Sequence, residues 1–582
     1  MDAAKDDVGR FADRPVKRIT LGTIAIAISG LTLVPLLFLA WTSVWTGYPG
    51  EAGASFTLQP YISVYLEGFF NVPMIFVHSL FIAVMMTLTG LIFGLTFAWL
   101  FVETNLPTKG AMELVLLSGQ AIPGYIFGIM YIIAYRPDEG IFTGIIASAL
   151  GIESIPISVF SPWGIGFIAG VNVISTSYLI AVPALQDLGP AYEEVSRIHG
   201  ASLSETIRSI TLPLIKPATL SAALSIFLYG MGEFATVSIL GARRGFDVYS
   251  TTISQATRIR FPPAYSEAAA LSISLLLMTG VFVYYYRRVT SRKQEYMTLT
   301  GQNALRQTWD LGAWRWPIAG VLWIVMGLIW ILPILGLFTA SLHGTWTGVI
   351  RPAQFTLANY IRAVTSPTIQ DAFVNSLLVS GGAATLGTAL AMGLAYYTER
   401  TDAPFRGLVD FLSLTPLAVP GIITGTSLIF MSLWVGKLPV VNLYGTLLII
   451  IIGSVIVYLP VASRIAIGNT VQIHSYLEEA ARIEGATWLQ QMRNVFLPLT
   501  KNTTIILWFF LAIHIFQLLS IPWMTYTSDT VVIPVKLFQL YISQPAMALI
   551  SAISCIFIGL TVVGVVLLRL SGITFYELGQ QH

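Results

Sequence analysis

Five strongly polar side chains lie within long apolar runs of this sequence, and their types could support chemistry there. They are His78, Asn172, Glu233, Asn375 and His514. Because a polar or ionisable group is costly to bury in lipid, such residues inside membrane spans are candidates for a translocation pathway. Glu233 stands out because the small residues Gly230 and Gly232 precede it and permit close helix approach. The alternative for each residue is a structural role, as a hydrogen bond between packed helices.

No other residues have the spacing of a catalytic or metal site. The sequence has no G-x4-G-K-[S/T] phosphate loop and no H-E-x-x-H motif, and its six histidines are scattered. Its single cysteine, Cys555, excludes an internal disulfide and a cysteine-only metal cluster. We therefore predict a protein that is not an enzyme, with no catalytic residue, metal or cofactor of its own and no nucleic-acid partner. Any energy that it uses must come from another subunit.

One polar segment occurs twice. Residues 192–217 and 477–502 are identical at 11 of 26 positions, and the spacing Glu-x5-Gly-x12-Pro holds in both copies. Ser475 and Glu478 have the spacing of a capping box, and Gly189-Pro190 gives the first copy an equivalent helix start. Glycine then ends the helix in each copy, and a second amphipathic turn runs to proline. The pattern predicts a short helix, a tight turn and a short helix in each copy.

Composition places these two loops in a membrane protein. The chain is 55% hydrophobic and only 10% charged, with a mean hydropathy of +0.76. About 20 apolar residues span a bilayer as a helix, which predicts an all-α protein with about twelve transmembrane helices. The predicted spans are 19–45, 74–102, 112–134, 163–186, 213–240, 265–287, 317–341, 371–397, 408–434, 444–468, 499–522 and 543–569.

Lysine and arginine set the orientation. With the N-terminus in the cytoplasm, 22 of the 31 lysine and arginine residues lie on the cytoplasmic side, as the positive-inside rule requires. This places both repeated loops and both termini in the cytoplasm. The domain boundaries follow as a cytoplasmic segment 1–18, a first domain 19–287 with loop 190–213, a linker 288–316, a second domain 317–569 with loop 475–498, and a tail 570–582.

The repeat extends beyond the loops and makes the two domains homologous six-helix halves. His78-Ser79 and Pro123-Gly124 recur 297 positions later as Asn375-Ser376 and Pro420-Gly421, whereas the loops recur at 285. The first half therefore carries about twelve extra residues between its third and fourth spans. Pro-Gly predicts a local helix break in the third and ninth spans, as a packing kink or as part of a gate. At the 285 offset Leu518 stands opposite Glu233, so the acid belongs to one half only.

The helix-Gly-helix-Leu-Pro pattern resembles the EAA loop of type I ABC importer permeases. The second copy matches the family form at Glu479, Ala480, Ala481 and Gly485, and the first departs from it at Val195 and Ser196. Two such loops in one chain resemble the fused permeases of the ferric-iron transport family. The resemblance implies a multi-pass subunit of the bacterial inner membrane that forms a translocation pathway. It also implies two cytoplasmic ABC ATPase partners, which hold ATP and Mg²⁺, and an extracytoplasmic solute-binding protein.

The resemblance assigns ATPase coupling to the residues of the two loops. These are Glu193, Glu194, Arg197, Gly200, Ala201, Pro213, Glu478, Glu479, Ala480, Ala481, Arg482, Gly485, Ala486 and Pro498. For Glu194 and Glu479 the alternative is a surface ion pair three residues along the helix, with Arg197 or Arg482, worth a few tenths of a kcal/mol.

Four arginines lie in the predicted external loop after the fifth span, against the positive-inside trend. They are Arg243, Arg244, Arg258 and Arg260. Their charge favours a contact with acidic residues of the solute-binding protein. Attraction of an anionic solute, or of phospholipid head groups, remains open.

The solute is the open part of this prediction. The fused halves and the Arg260-Phe261-Pro262-Pro263 loop look most like ferric-iron permeases, which predicts ferric iron or a ferric chelate. Relatives of the same architecture import phosphonates, sugar phosphates, thiamine or polyamines. A second class, an ion-coupled secondary transporter, is also compatible with parallel repeats.

Overall fold

The computed structural model describes residues 2–46, 53–137, 139–151, 158–187, 196, 199–241, 244–290, 308–436, 442–543 and 546–570. These residues form helices joined by short turns, with isolated bridges and no β-strand among them. Long apolar segments adopt helices because a helix satisfies every backbone polar group within the segment, where lipid cannot. The all-α prediction is confirmed.

The α-helices divide between the two halves of the sequence. Those of the first half are Asp2–Ser43, Gln59–Tyr65, Val72–Glu103, Lys109–Ser118, Gly124–Tyr135, Thr143–Leu150, Pro162–Asn172, Ile174–Asp187, Leu203–Thr206, Leu212–Met231, Ala235–Leu240, Tyr249–Ser254 and Tyr265–Thr290. Those of the second half are Arg315–Met326, Leu332–Ser341, Ala358–Thr365, Pro367–Glu399, Arg406–Leu414, Gly421–Val435, Leu447–Gln472, Tyr476–Ile483, Trp488–Gln491, Leu497–Leu499, Lys501–Phe516, Ser520–Thr525, Ile533–Ser543 and Met547–Leu570.

Eight helices in the described residues are long and apolar enough to cross a membrane. Four bent pairs pass the same test together, which gives twelve spans when each pair counts as one. These twelve fall at the twelve predicted positions, and we number them span 1 to span 12 in chain order. The predicted domain boundaries stay predictions, since most of the linker 288–316 and of the tail 570–582 lies outside the described residues.

Spans 5 and 11 differ from their prediction. The sequence predicts continuous helices over 213–240 and 499–522, but span 5 ends at Met231 and span 11 at Phe516. Short helices, Ala235–Leu240 and Ser520–Thr525, follow each break. The physical reason in span 5 is close packing, because a Cβ on Gly232 would lie 2.5 Å from the Cβ of Pro420.

The first span of each half packs against the other half. Span 1 contacts both helices of span 9, and the ring centroids of Phe38 and Trp434 lie 5.4 Å apart. Span 7 contacts the second helix of span 3, where the Tyr131 hydroxyl donates to the Ile329 carbonyl at 3.0 Å. Span 1 also contacts span 6, and span 7 also contacts span 12, so each first span bridges the two halves.

Candidate functional site

The second repeated loop is a helix, a left-handed glycine and a second helix. The helices are Tyr476–Ile483 and Trp488–Gln491, and Gly485 joins them at φ +85°. A residue with a Cβ adopts this conformation only with strain. The Ala486 N–H donates to the Ala481 carbonyl at 2.9 Å, which closes a Schellman C-cap. The predicted helix-turn-helix and its glycine turn are confirmed.

The first repeated loop has the same turn where the structure describes it. Gly200 has φ +78°, and the Ala201 N–H donates to the Ser196 carbonyl at 3.1 Å. The buried Ser196 hydroxyl also shares a 2.8 Å hydrogen bond with Thr206 of the following helix. This bond accounts for a serine where the second loop has alanine. Glu193, Glu194 and Arg197 lie outside the described residues.

Apolar side chains project from the second loop. Tyr476 is 73% exposed, Ile483 81% and Leu489 62%. The loop's predicted coupling residues Glu479, Ala480, Arg482 and Gly485 are exposed, as are the two prolines Pro213 and Pro498, while Ala481 and Ala486 are half-buried. Exposed apolar residues rimmed by charge are typical of a protein–protein contact.

The alternative for Glu479, a surface ion pair with Arg482, does not form. Both side chains lie in the described range 442–543, and the ion pairs of that range do not include this one. The Glu479 side chain is exposed.

The predicted capping box at the start of the second loop is wrong. Ser475 has helical backbone angles, and its side chain accepts no hydrogen bond from the helix. Glu478 turns instead toward Arg400, whose Nε lies 3.3 Å from Glu478 Oε1. A capping box forms later in the loop, where the Thr487 N–H donates to Gln490 Oε1 at 2.8 Å and the Gln490 N–H donates to Thr487 Oγ1.

Both loops enter the next span through a π-helical turn followed by proline. The turns are Ile207–Thr211 before Pro213 and Met492–Phe496 before Pro498. The expected helix end at Pro213 does not occur, because Leu203–Met231 forms one span through the proline. In the second half the two helices of span 11, Trp488–Leu499 and Lys501–Phe516, meet at a bend of 70°. The two loops therefore connect differently to their halves.

Four interrupted spans meet near the boundary between the halves. Span 3 bends by 112° at Pro123-Gly124 and span 9 by 109° at Pro420-Gly421, which confirms the predicted breaks. A Cβ on Gly124 would lie 2.9 Å from Thr236 Oγ1 and one on Gly421 would lie 2.5 Å from Ser520 Oγ. Each Pro-Gly break thus packs on the short helix that follows span 5 or span 11. Irregular backbone at membrane depth is tolerated where protein or a cavity surrounds it.

Glu233 lies in the break of span 5. Its Oε1 accepts the Thr236 N–H at 2.7 Å, so the carboxylate caps the short helix Ala235–Leu240. The Ser250 hydroxyl donates to the Glu233 carbonyl oxygen. The buried side chain of Glu233 is therefore hydrogen-bonded within the protein, as in the alternative of a structural role. A contact between Glu233 and a solute stays a prediction.

His78 and Asn375 hold matching loops in the two halves. His78 Nδ1 lies 2.9 Å from the Asp247 carbonyl, and Asn375 Nδ2 donates to the carbonyls of Asp529 and Val531 at 3.1 and 3.0 Å. The serine after each of them accepts a backbone N–H from the same loop. These contacts favour an anchoring role for the pair.

Asn172 and His514 are also hydrogen-bonded to backbone. Asn172 Nδ2 donates to the Ile122 carbonyl at 3.0 Å, next to the break in span 3. His514 Nδ1 lies 2.9 Å from the Phe510 carbonyl of its own helix. The five polar candidates therefore do not form one cluster of contacts, and their place in a pathway remains untested.

The external arginines contact different aromatic rings. Arg244 lies 5.3 Å from the ring centroid of Phe160, and Arg260 lies 4.0 Å from that of Phe69. Half-buried Arg258 lies over the ring of Tyr526 and donates to its carbonyl at 3.2 Å. It therefore bonds the first half to the second. Arg243 lies outside the described residues. Arg244 and Arg260 are exposed.

Two contacts were missed by the sequence analysis. Arg400 joins three elements beside the second repeated loop, and Tyr131 bonds across the two halves. The sequence does carry one signal for Arg400. At the repeat offset of 297 positions its counterpart is Glu103, so the charge at this position is opposite in the two halves. Among the described residues no group of three or more His, Cys, Asp or Glu side chains could hold a metal ion.

Comparison with known proteins finds similarity to membrane components of transport systems. Residues 52–293 match the family model described as "Binding-protein-dependent transport system inner membrane component". A Haemophilus influenzae protein named as a ferric transport system permease is 26% identical over 443 residues, covering 73% of this chain and 66% of the relative. A Sinorhizobium fredii protein named as an ABC transporter permease is 26% identical, covering 72% and 73%. A ferric transport system permease of Actinobacillus pleuropneumoniae is 27% identical, covering 56% and 46%.

The alignments thus span just under two thirds of the first relative and about half of the third. Within this chain the matched segment holds spans 2 to 6 of the first half, and the second half repeats its breaks and its loop. Residues 52–293 are thus similar to the inner-membrane components of binding-protein-dependent transport systems.

Proposed function

We propose that this chain forms the translocation pathway of an ABC importer and that its two repeated loops dock on two cytoplasmic ABC ATPase subunits. The observation that carries the proposal is the exposed surface of the second loop, where Tyr476, Ile483 and Leu489 project beside Glu479 and Arg482. A monomeric surface rarely presents such residues without a partner. The ATPase subunits hold ATP and Mg²⁺ and supply the energy.

The mechanism follows from the parallel repeat. Closure of the ATPase pair on ATP moves the two loops, and the halves turn the pathway outward to accept solute from a solute-binding protein. Hydrolysis then resets the pathway inward. Rocking of two repeats about a shared site is the general form of alternating access, and the interrupted spans at the boundary between the halves are the elements that it would move.

The proposed solute is ferric iron or a ferric chelate. Its support is that two of the similar proteins are named as ferric transport permeases. The solute-binding protein does the selecting in this scheme, so the permease needs no metal-ligand cluster. Identification of the solute that copurifies with the cognate binding protein separates ferric iron from a phosphonate, a sugar phosphate, thiamine or a polyamine.

The proposed orientation places both loops and both termini in the cytoplasm. Its support is the charge distribution, with 22 of 31 lysine and arginine residues on that side. The membrane is the bacterial inner membrane, as in the family description.

Substitution of the glycine in the second turn tests the docking proposal. Gly485→Leu places a side chain at φ +85°, which costs about 1–2 kcal/mol for a left-handed residue and favours a different turn. We expect a membrane-inserted protein that no longer drives ATP-dependent uptake of ⁵⁵Fe³⁺ from its loaded binding protein in liposomes. The measurement compares uptake with and without the ATPase subunits.

Gly407→Leu is the matched control, because Gly407 lies on the same side with ordinary φ and open space around its Cβ position. Full uptake by Gly485→Leu would contradict the docking proposal. Uptake by the purified chain without any ATPase would instead indicate an ion-coupled transporter.

A further inference from the structure

Arg400 caps the cytoplasmic end of span 10. It follows the last residue of span 8, Pro367–Glu399, and its side chain is only 9% exposed. Its Nη2 donates to the Thr470 carbonyl at 2.8 Å and also to the Ile473 carbonyl. The last carbonyls of a helix have no partner within the helix, and an arginine is well suited to satisfy them.

The same guanidinium holds the second repeated loop. Its Nε lies 3.3 Å from Oε1 of Glu478, whose side chain is 12% exposed. Because both side chains are largely shielded from water, their attraction is screened less than that of an exposed pair, which contributes little. Arg400 therefore joins three elements at one point, namely span 8, span 10 and the loop helix Tyr476–Ile483.

The residue of the first half at the matching position is Glu103, which is 2% exposed. The backbone around Glu103 pairs with the linker, since the Trp309 N–H donates to the Glu103 carbonyl at 2.7 Å and the Asn105 N–H to the Trp309 carbonyl at 3.1 Å.

We propose that Arg400 is the positioning residue through which movement of the second loop reaches spans 8 and 10. This inference rests on the proposed docking of the loops on ATPase subunits. A force on an eight-residue surface helix reaches the membrane only through its attachments, and Arg400 is a buried attachment that links this helix to two spans at once.

A spin-label measurement tests this proposal without knowledge of the solute. Labels are placed at Met74→Cys and Gln370→Cys, near the external starts of spans 2 and 8, in a Cys555→Ser background. The permease with its ATPase subunits is reconstituted in liposomes, and the label distance is compared before and after trapping with ATP and vanadate. We expect Arg400→Ala to abolish the ATP-driven distance change while the ATPase subunits still copurify.

Arg406→Ala is the matched control, because Arg406 lies in the same cytoplasmic segment and its pair with Asp402 is exposed. It should leave the distance change intact. Glu478→Gln is the second variant. It preserves the bonds from Arg400 to span 10 but removes the charge pair, so it should also diminish the change even if Arg400→Ala folds poorly.

A full distance change in Arg400→Ala or in Glu478→Gln, with ATPase bound, would overturn this inference and leave the proposed function standing. Failure of the unmodified chain to bind any ATPase would overturn the proposed function itself. A purely structural role for Arg400 would lower the yield and the melting temperature without altering the distance change of the molecules that fold.

Discussion

At the scale of single residues, Glu478 combines a contact to Arg400 with a cost in stability. Burial raises the pKa of its carboxyl above the ordinary 4.5, and the charges of Arg400 and Lys17 oppose that rise only in part. A carboxyl whose pKa is raised by folding disfavours the folded state once it is ionised. Residues retained at such a cost often serve activity rather than stability.

This shift predicts a pH-dependent effect of Glu478→Gln. Ionised Glu478 destabilises the folded state. This cost is absent below pH 4.5, the pKa of the carboxyl in the unfolded chain, and it grows as the pH rises from there to the raised pKa of the folded state. The glutamine variant should therefore melt at a higher temperature than the unmodified protein at neutral pH, and at the same temperature in acid. The measurement is thermal denaturation in detergent across this range. A glutamine variant that is less stable at neutral pH would show that the ion pair outweighs burial.

At the scale of elements, span 7 is held by two tyrosines of span 3. Pro333 has no N–H for the Ile329 carbonyl, and in the π turn Gly327–Ile331 the Leu332 N–H bonds to the Gly327 carbonyl rather than to Leu328. The hydroxyls of Tyr131 and Tyr135 donate to the two carbonyls that are left, those of Ile329 and Leu328. The irregular turn in one half is thus satisfied by the other half.

Tyr131→Phe should lower the free energy of unfolding by about 1 kcal/mol, because it leaves a buried carbonyl without its donor. Tyr125→Phe is the control on the same helix, since the buried Tyr125 hydroxyl has no hydrogen-bond partner in the part of the chain that the structure describes. It should be neutral or slightly stabilising. Equal midpoints for the two variants in thermal denaturation would contradict the bridging role of Tyr131.

The sequence predicted most elements but not how they end. Apolar length located all twelve spans, and glycine located both loop turns, because each depends on local chain chemistry. The breaks after Met231 and Phe516 were missed, since they depend on contacts such as Gly232 against Pro420. The Ser475 capping box failed for a similar reason, because Arg400 competes for Glu478 from a distant part of the chain. Contacts of this kind leave no periodic pattern in the sequence.

At the scale of the whole molecule, exposed basic and aromatic side chains lie together on the face that is predicted to be external. Phe261 is 95% exposed, and Arg260 and Arg244 lie on the same face with exposed side chains. Arg258 is committed to the carbonyl of Tyr526 in the second half. Of the three arginines that the structure describes here, only Arg244 and Arg260 are therefore exposed to an acidic partner.

Reversal of charge at Arg244 and Arg260 should weaken the binding of the solute-binding protein most strongly in low salt, where exposed charges are least screened. Arg406→Glu changes the net charge by the same amount per site on the opposite face and should not affect binding. The measurement is affinity for the reconstituted permease at several salt concentrations. An affinity of the Arg244→Glu, Arg260→Glu variant that equals that of the unmodified protein in low salt would reject this contact.

The first span of each half lies between the two repeats. Span 1 contacts span 6 of its own half and span 9 of the other, and span 7 contacts span 12 of its own half and span 3 of the other. The linker that joins the repeats ends beside the loop 103–105 of the first half. Any rocking of one half against the other would therefore have to change the packing around spans 1 and 7.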